Sequence, residues 1–119
     1  MSCYFQVGEQ IVWNPSNGVA HLFVDQSMAI SRLIGHESGV GAIIQDECQI
    51  EVDAFQRFVQ LLVNTYQESN HTVLRALVRG YLGVSLALVA RIGGRVEIAE
   101  ADRGMWRTLM AENQAAMPV

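Results

Sequence analysis

Arginine is the residue whose number and spacing first suggest chemistry in this chain. All eight basic residues are arginine. Three pairs have the i,i+4 spacing that, on a helix, places both side chains on one face: Arg75/Arg79, Arg91/Arg95 and Arg103/Arg107. Like charges at this spacing repel each other by a few tenths of a kcal/mol unless carboxylates or an anion lie between them. Because the chain has twelve acidic residues, internal ion pairs are the simpler explanation, and for Arg75/Arg79 we expect a solvated or internally paired face. An anionic ligand or partner, which arginine binds through paired hydrogen bonds, is the alternative.

A second set of candidate residues flanks a glycine-rich segment. His36 and Glu37 precede it, and Asp46 and Glu47 follow it. Imidazole and carboxylate groups of this kind bind divalent ions, or transfer protons as a general base and acid. Their spacing matches no metal-binding motif, so the pattern favours a solvated acidic loop and predicts no metal site.

The two cysteines give no sign of catalysis. Cys3 and Cys48 do not form a CxxC motif, and no signal peptide precedes them, which predicts a reduced, cytoplasmic protein. Cys48 falls on the apolar face of a short strand, where a thiol behaves as a small hydrophobic group. No nucleophile has an evident base nearby, and no glycine-rich loop has a phosphate-binding form. The pattern therefore predicts no cofactor, leaves the catalytic residues unknown and leans against an enzyme.

Composition limits the partners that the chain can have. With 119 residues it is long enough for one domain that buries a core without disulfides or metals. Half of the residues are hydrophobic and only 17% are charged, so there are more apolar side chains than a small surface needs. This excess favours an oligomer or a hydrophobic ligand. The formal charge of −4 and the pI near 5.2 argue against nucleic acid and anionic membranes as partners.

Hydrophobic periodicity predicts an α+β fold in which helix dominates. Four helices pack with a small antiparallel sheet of two or three strands. The predicted strands lie within 4–13, as one bent strand or two short ones, and at 48–52. Residues 96–98 form either a third short strand or the frayed start of the last helix. The predicted helices run from Asn14-Pro15 to the stop at Gly35, from Asp53 to Tyr66, from Thr72 to Ile92, and from about Asp102 to Asn113. We expect a single domain over 1–119 with a loose tail at 114–119.

The long helix predicted over Thr72–Ile92 must be enclosed over half of its length. Its first turns carry Arg75 and Arg79, whereas Gly80–Ala90 is apolar or small on every face. A helix that is hydrophobic all round is surrounded by protein or by lipid. The apolar run has 11 residues and a bilayer span needs about 20, so we predict no membrane crossing.

Small residues in this helix leave two interpretations open. Gly80, Gly83 and Ala87 allow another backbone to approach closely. A glycine inside a helix costs about 1 kcal/mol relative to alanine, so both glycines need a packing reason. Either this is the core helix of its own monomer, or two copies of it cross at Gly80 and Gly83 in a two-fold interface. The small size of the chain and its low fraction of charged residues favour a homodimer, in which the partner is a second copy of the chain.

Two stretches resemble a family of small bacterial proteins from high-GC organisms that is grouped as a domain of unknown function. They are CYFQVGEQIVWNPSNGVAHLFV at residues 3–24 and QDECQIEVDAFQRFV at residues 45–59, and the likeness extends through the long helix over most of the chain. The resemblance implies a cytoplasmic accessory role. It assigns no catalytic residue to any position.

Three functions fit these observations. The first is a small cytoplasmic interaction or regulatory protein, homodimeric through the long helix. The second is a cofactor-independent enzyme or binder, of isomerase or cyclase type, for a hydrophobic small molecule of secondary metabolism. The third is an immunity- or antitoxin-like inhibitor that covers an enzyme, which the acidic charge suits. The pocket of the second would be lined by aromatic residues with one polar anchor: Tyr4, Phe5, Trp13, Phe55, Phe58, Tyr81 and Trp106, with Arg79 or Glu47 as the anchor.

Overall fold

Helices and short strands follow one another along the chain much as the periodicity predicts. The computed structural model describes all 119 residues. In chain order the elements are β1 (Tyr4–Val7), β2 (Gln10–Trp13), α1 (Asn17–Ile34), β3 (Glu47–Gln49), α2 (Val52–Glu68), α3 (Thr72–Arg91) and α4 (Arg103–Ala116). A single 3-10 turn over Glu100–Asp102 precedes α4. The prediction of a helix-dominant α+β fold is confirmed.

The sheet is mixed, and the prediction of an antiparallel sheet is wrong. Its strand order is β2-β1-β3, with β1 antiparallel to β2. β1 is parallel to β3, and Phe5 lies opposite Cys48 in that pairing. Two antiparallel strands can be joined by a tight hairpin, as β1 and β2 are, whereas parallel strands need a long crossover connection. α1 supplies that crossover. The direction of β3 therefore depends on how α1 packs in the tertiary structure and not on the local sequence of β3.

Capping residues fix where the helices begin and end. The side chain of Ser16 caps α1, which therefore starts later than the predicted Asn14. Gly35 ends α1 in the left-handed region at φ 74°, as predicted, because glycine adopts this conformation without a Cβ clash. His71 caps α3 by accepting a hydrogen bond at Nδ1 from the Leu74 N–H at 3.1 Å.

Aromatic rings fill the space between the sheet and the helices. Phe5 stacks on Trp13 with ring centroids 5.0 Å apart, and Phe23 stacks on Tyr81 at the same distance. Phe58 meets Tyr81 edge-on at 6.4 Å. All five rings are buried. The sheet, α1, α2 and α3 therefore share one hydrophobic core.

α3 lies between α2 and α4 and runs in the same direction as α4. Gly83 lies against Leu109, and one turn later the Ala87 carbonyl accepts a hydrogen bond from Gln114 Nε2 at 2.9 Å. Later positions on α3 thus meet later positions on α4. Because a short turn cannot join two parallel neighbours, residues 92–102 return along the molecule before α4 begins.

The side chain of Arg91 holds the C-terminus against β2. Its guanidinium donates hydrogen bonds to the Val12 carbonyl at 2.8 Å, to the side-chain and main-chain oxygens of Gln114 at 2.6 and 3.2 Å, and to the Met117 carbonyl at 2.7 Å. Met117 is also buried. Gln114 and Met117 are therefore held in place within the segment 114–119, for which the sequence predicts a loose tail. A single guanidinium that joins distant carbonyls leaves no trace in hydrophobic periodicity.

α3 is the one helix long and apolar enough to cross a membrane by length and composition. Half of its most apolar stretch is buried inside the chain, which is the behaviour of a core helix in a globular domain. The radius of gyration is 13.5 Å, the value of about 13.5 Å that scaling gives for a compact chain of this length.

Candidate functional site

An open groove lies between α2 and α4 and has a volume of about 1350 Å³. We call it the α2–α4 groove. Leu86, Val89 and Ala90 of α3 form its floor, and residues 94–99, here called the crossover segment, also line it. Pockets for drug-sized ligands are about 300–1,000 Å³. A groove larger than this and open to solvent suits a segment of a polymer better than an enclosed small molecule.

The α2 wall of the groove is a row of side-chain amides. Gln56, Gln60, Asn64 and Gln67 all line the groove and share one face of α2, since they are spaced four, four and three residues apart. Gln60 Nε2 donates a hydrogen bond to Asn64 Oδ1 at 3.0 Å, which connects neighbours in the row. The apolar residues of α2 are buried on its opposite side. We call these four residues the amide row.

The amide row holds the crossover segment in an extended conformation. Gln60 Oε1 accepts a hydrogen bond from the Glu97 N–H at 2.7 Å, and Gln60 Nε2 donates one to the Glu97 carbonyl at 3.0 Å. Val96 and Ile98 are half-buried and alternate with exposed Arg95 and Glu97, as in a strand. The third predicted strand is thus extended but is not part of the sheet, because a helix side chain takes the place of a neighbouring strand.

Gly94 brings the crossover segment close to α2. A Cβ atom added at this position would lie 2.5 Å from Gln56 Oε1 and 3.0 Å from Val89 Cγ1. The absence of a side chain therefore permits the approach. Gly93, with φ 77°, makes the preceding turn at the end of α3.

The α4 wall carries Arg103, Trp106 and Arg107. Trp106 is only 1% exposed and meets the Tyr66 ring edge-on, with centroids 5.0 Å apart. Its Nε1 donor is out of contact with solvent and has no hydrogen-bond partner, and Nε2 of Gln67 in the amide row is in the same state. A buried donor without an acceptor costs about 1–3 kcal/mol. Two residues of the groove lining therefore carry buried donors without an acceptor in this structure.

The groove is positively charged although the protein is acidic. Its lining includes three arginines, at positions 95, 103 and 107, and one acidic residue, Glu97. The chain as a whole has a charge of −4. Arg103 Nε donates a hydrogen bond to the Ile98 carbonyl at 3.3 Å, which ties α4 to the crossover segment. Within a Debye length of about 8 Å at physiological salt, these arginines favour an anionic group.

The three i,i+4 arginine pairs lie in different structural environments. Arg75 lies over the ring of Tyr66, with 4.4 Å from its guanidinium carbon to the ring centroid, and Arg79 is exposed. Arg91 is the structural residue described above, whereas Arg95 lines the groove. Arg75 is therefore partnered by an aromatic ring, whereas Arg79 has the solvated position that was one of the two expectations. Only the pair on α4 presents both members to the α2–α4 groove.

The aromatic residues predicted to line a ligand pocket do not form one site. Five of them are buried in the core: Phe5, Trp13, Phe55, Phe58 and Tyr81. Tyr4, Glu47 and Arg79 are exposed. Trp106 alone among the nine lines the α2–α4 groove. Most of the aromatic residues that were predicted to line a pocket are therefore core residues, whose rings pack against one another.

The candidate dimer residues on α3 do not share one surface: Gly83 and Ala87 are covered by the same chain, and Gly80 is exposed. A Cβ atom added at Gly83 would lie 2.7 Å from Leu109, and Ala87 is fully buried, so α4 of the same chain covers both. Gly80 is exposed and has open space around it. It shares a surface stripe with Val73 and Leu77, which are 60% and 73% exposed. Only this stripe is open to a second copy without rearrangement.

The core contains the titratable groups whose pKa values are displaced. Burial raises the pKa of Cys48 to about 12, and the neighbouring Cys3 adds to the rise. Burial also raises the pKa of Tyr81 to about 12, opposed by a hydrogen bond with the Ser27 hydroxyl at 2.7 Å. Since the thiolate is the nucleophilic form of cysteine, Cys48 is held in its unreactive state at neutral pH.

Cys3 and Cys48 are close on the sheet, but this register does not allow a disulfide. Cys48 pairs with Phe5, two residues beyond Cys3. A strand spacing of about 4.8 Å and a rise of about 3.3 Å per residue place the two Cα atoms about 8 Å apart. A disulfide needs less than about 7 Å. Both cysteines are free.

The histidine and carboxylates around the glycine-rich loop have local structural roles. His36 Nδ1 lies 2.7 Å from the carbonyl oxygen of Glu37. Asp46 is in the tight turn between Ile44 and Glu47, whose N–H and C=O groups bond reciprocally at 2.9 and 3.0 Å. The structure does not bring these side chains into one cluster of metal-binding groups.

Sequence reasoning missed the amide row and the arginines of α4 as parts of one site. The four-residue spacing of Gln56, Gln60 and Asn64 is visible in the sequence, yet a polar helix face ordinarily meets solvent. What distinguishes this face is the crossover segment lying against it. That contact depends on α4 running parallel to α3, which has no local signal.

The chain belongs to a family of unknown function, DUF6086, whose model matches residues 1–119. No curated protein and no solved structure matches the chain.

Proposed function

We propose that this member of the DUF6086 family is a non-catalytic, cytoplasmic interaction protein that binds a partner polypeptide in the α2–α4 groove. The observation that carries the proposal is one groove that combines an apolar floor, a row of amides and three arginines. Protein interfaces combine an apolar centre with aromatic and arginine anchors, surrounded by polar groups. Arg103 and Arg107, which are exposed on the groove lining, are side chains of this kind.

The positions of the reactive groups support a non-catalytic role. Cys48 and Tyr81 have pKa values raised to about 12 by burial, and neither lines the groove. The polar groups that do line it are mostly amides and arginines, which donate hydrogen bonds but do not exchange protons near neutral pH. The two free thiols suit a reducing cytoplasm.

The alternative functions have less support. A hydrophobic small molecule would need a cavity among the aromatic residues, and these pack against one another in the core. An immunity- or antitoxin-like inhibitor is a special case of the present proposal, in which the partner polypeptide belongs to the inhibited enzyme.

The proposal is tested by selecting a library of random peptides, displayed on phage, against the purified protein. Selected peptides are then measured on Arg107→Glu and on Arg79→Glu, a matched charge reversal at an exposed position outside the groove. We expect at least tenfold weaker binding to Arg107→Glu and less than twofold change with Arg79→Glu. Failure to enrich any peptide, or equal binding to both variants, would refute the groove as the binding surface.

Homodimerisation through the first half of α3 is a second candidate. It is favoured by the exposed stripe of Val73, Leu77 and Gly80. Sedimentation equilibrium of the wild-type chain and of Leu77→Glu tests it. We expect a dimer that becomes a folded monomer in the variant, whereas a wild-type monomer at all concentrations would rule this candidate out.

A further inference from the structure

The α2–α4 groove offers hydrogen-bond donors in excess of acceptors. The arginines at 95, 103 and 107 line it and can only donate. Gln67 Nε2 and Trp106 Nε1 are closed off from solvent and have no partner. A ligand rich in acceptors, such as carboxylate and carbonyl oxygens, would complement these groups, and a rotation of the Gln67 side chain would present its amide to such a ligand.

The crossover segment shows how the amide row binds an extended chain. One side-chain amide, that of Gln60, bonds to both the N–H and the C=O of Glu97. The N–H and C=O of one residue point to the same side only when the chain is extended. From Gln60 to Gln67 the helix rises about 10.5 Å, the length of about three extended residues. The row therefore continues beyond Glu97 with an unpaired amide at Gln67.

The arginine spacing on α4 matches the side-chain spacing of an extended peptide. Arg103 and Arg107 are four residues apart, which is about 6 Å along the helix axis. Side chains at i and i+2 of an extended chain lie on one face about 6.6 Å apart. Two carboxylates with that spacing can each meet one guanidinium, and each pair can form two parallel hydrogen bonds.

We propose that the occupant of the α2–α4 groove is an extended, acidic segment of a partner polypeptide, with carboxylates at alternate positions facing Arg103 and Arg107 and its main chain bonded to Gln67. The proposal rests on the proposed function and adds the chemistry of the ligand. Residues between the carboxylates face the opposite way, toward the apolar floor of α3. The positive lining of the groove complements the acidic segment although the protein as a whole is acidic.

The test uses a labelled seven-residue peptide that alternates glutamate and valine, with glutamate first and last and both ends blocked, and measures fluorescence anisotropy. We expect saturable binding that weakens at least tenfold in Arg107→Glu and changes less than twofold in Arg79→Glu. Gln67→Leu, which keeps the size of the side chain and removes the amide, should weaken binding about three- to tenfold. Amide chemical-shift changes on adding the peptide should fall on the amide row, the crossover segment and the first half of α4.

Three control probes test the chemistry and the conformation. A peptide with lysine in place of glutamate should not bind, and one with proline at the central valine should bind at least fivefold more weakly because it lacks an N–H and cannot continue a paired strand. Inorganic phosphate should compete only weakly. Equal binding of the lysine or proline peptide, or full competition by phosphate at equal concentration, would overturn the proposal.

The two proposals fail in different ways. If the valine–glutamate peptide does not bind but the phage library yields peptides of another class that depend on Arg107, the acidic occupant is wrong and the interaction function stands. If no peptide of any composition binds, the interaction function is wrong as well.

Discussion

The aromatic core and the α2–α4 groove share α2 and α3 but differ in how closely their side chains are packed. In the core, rings stack at 5.0 Å, and the buried Tyr81 hydroxyl is bonded to Ser27. In the groove, an extended segment is held mainly by one glutamine, and two buried donors have no partner. The core rings pack against one another within one chain, whereas the groove is open to solvent. The two regions meet at Leu86, Val89 and Trp106, which belong to the core and also line the groove.

The largest expected effect is in the core. Phe5→Ala removes a fully buried ring that contacts Trp13 and Phe23, and it should lower the free energy of unfolding by about 3–5 kcal/mol. Tyr4→Ala is the matched control, since Tyr4 is 38% exposed, and it should cost less than about 1 kcal/mol. Urea unfolding measures both. Similar losses for the two variants would show that the core is not the source of stability.

The next effect separates the two members of an arginine pair. Arg91→Met leaves the Val12 and Met117 carbonyls without their donor, and we expect a loss of about 2–3 kcal/mol. Arg95→Met, in the groove, should change stability by less than about 0.5 kcal/mol. Thermal unfolding compares them. A stable Arg91→Met variant would mean that the C-terminus does not depend on this side chain.

Two glycines of α3 separate the packed face from the open one. A methyl group at Gly83 would lie 2.7 Å from Leu109, so Gly83→Ala should cost about 1–3 kcal/mol. Gly80 has open space around it, so Gly80→Ala should gain about 0.5–1 kcal/mol from helix propensity. The denaturant midpoint of each variant, compared with that of the wild type, gives the sign of its change in the free energy of unfolding. A destabilised Gly80→Ala variant would point instead to a contact at that position between two copies.

Alkaline pH should weaken the core. The pKa of Cys48 is 9.0 in the reference state and about 12 in the fold, and that of Tyr81 rises from 10.0 to about 12. A raised pKa means that the unfolded state loses its proton first, so stability is constant below pH 9 and falls as the pH rises toward 12. The Cys48 contribution is a loss of roughly 1 kcal/mol at pH 10. Cys48→Val should abolish this part of the loss in urea titrations, and an unchanged profile would remove Cys48 as its cause.

The smallest effect is local to the groove. Gln60→Ala removes both hydrogen bonds to Glu97 and should lower global stability by about 1 kcal/mol or less. Amide hydrogen exchange in the crossover segment should become at least tenfold faster, while exchange in the core helices stays within twofold. Unchanged exchange at Glu97 would mean that other contacts hold the segment.

The sequence predicted this fold well where its signals are local. Helix-period stripes located all four helices, Gly35 marked the end of α1, and alternation located the extended residues 96–98. The prediction of the sheet failed in the direction of β3 and in residues 96–98, which lie outside the sheet. Strand direction depends on the path of α1 and not on the residues of β3. The candidate site was predicted only in part: Trp106 and the pair on α4 were singled out, and the amide row was not.

By itself, the sequence determined that this chain is a helix-dominant α+β domain with an acidic surface and one helix that must be enclosed. These properties follow from periodicity, composition and capping, which act over a few residues. The tertiary structure decided what encloses α3, namely α2 and α4 of the same chain, and that α4 runs parallel to α3. That direction obliges residues 92–102 to return along α2, and the α2–α4 groove exists for this reason. Its arginines, amides and tryptophan are distant in sequence, so only packing could bring them together.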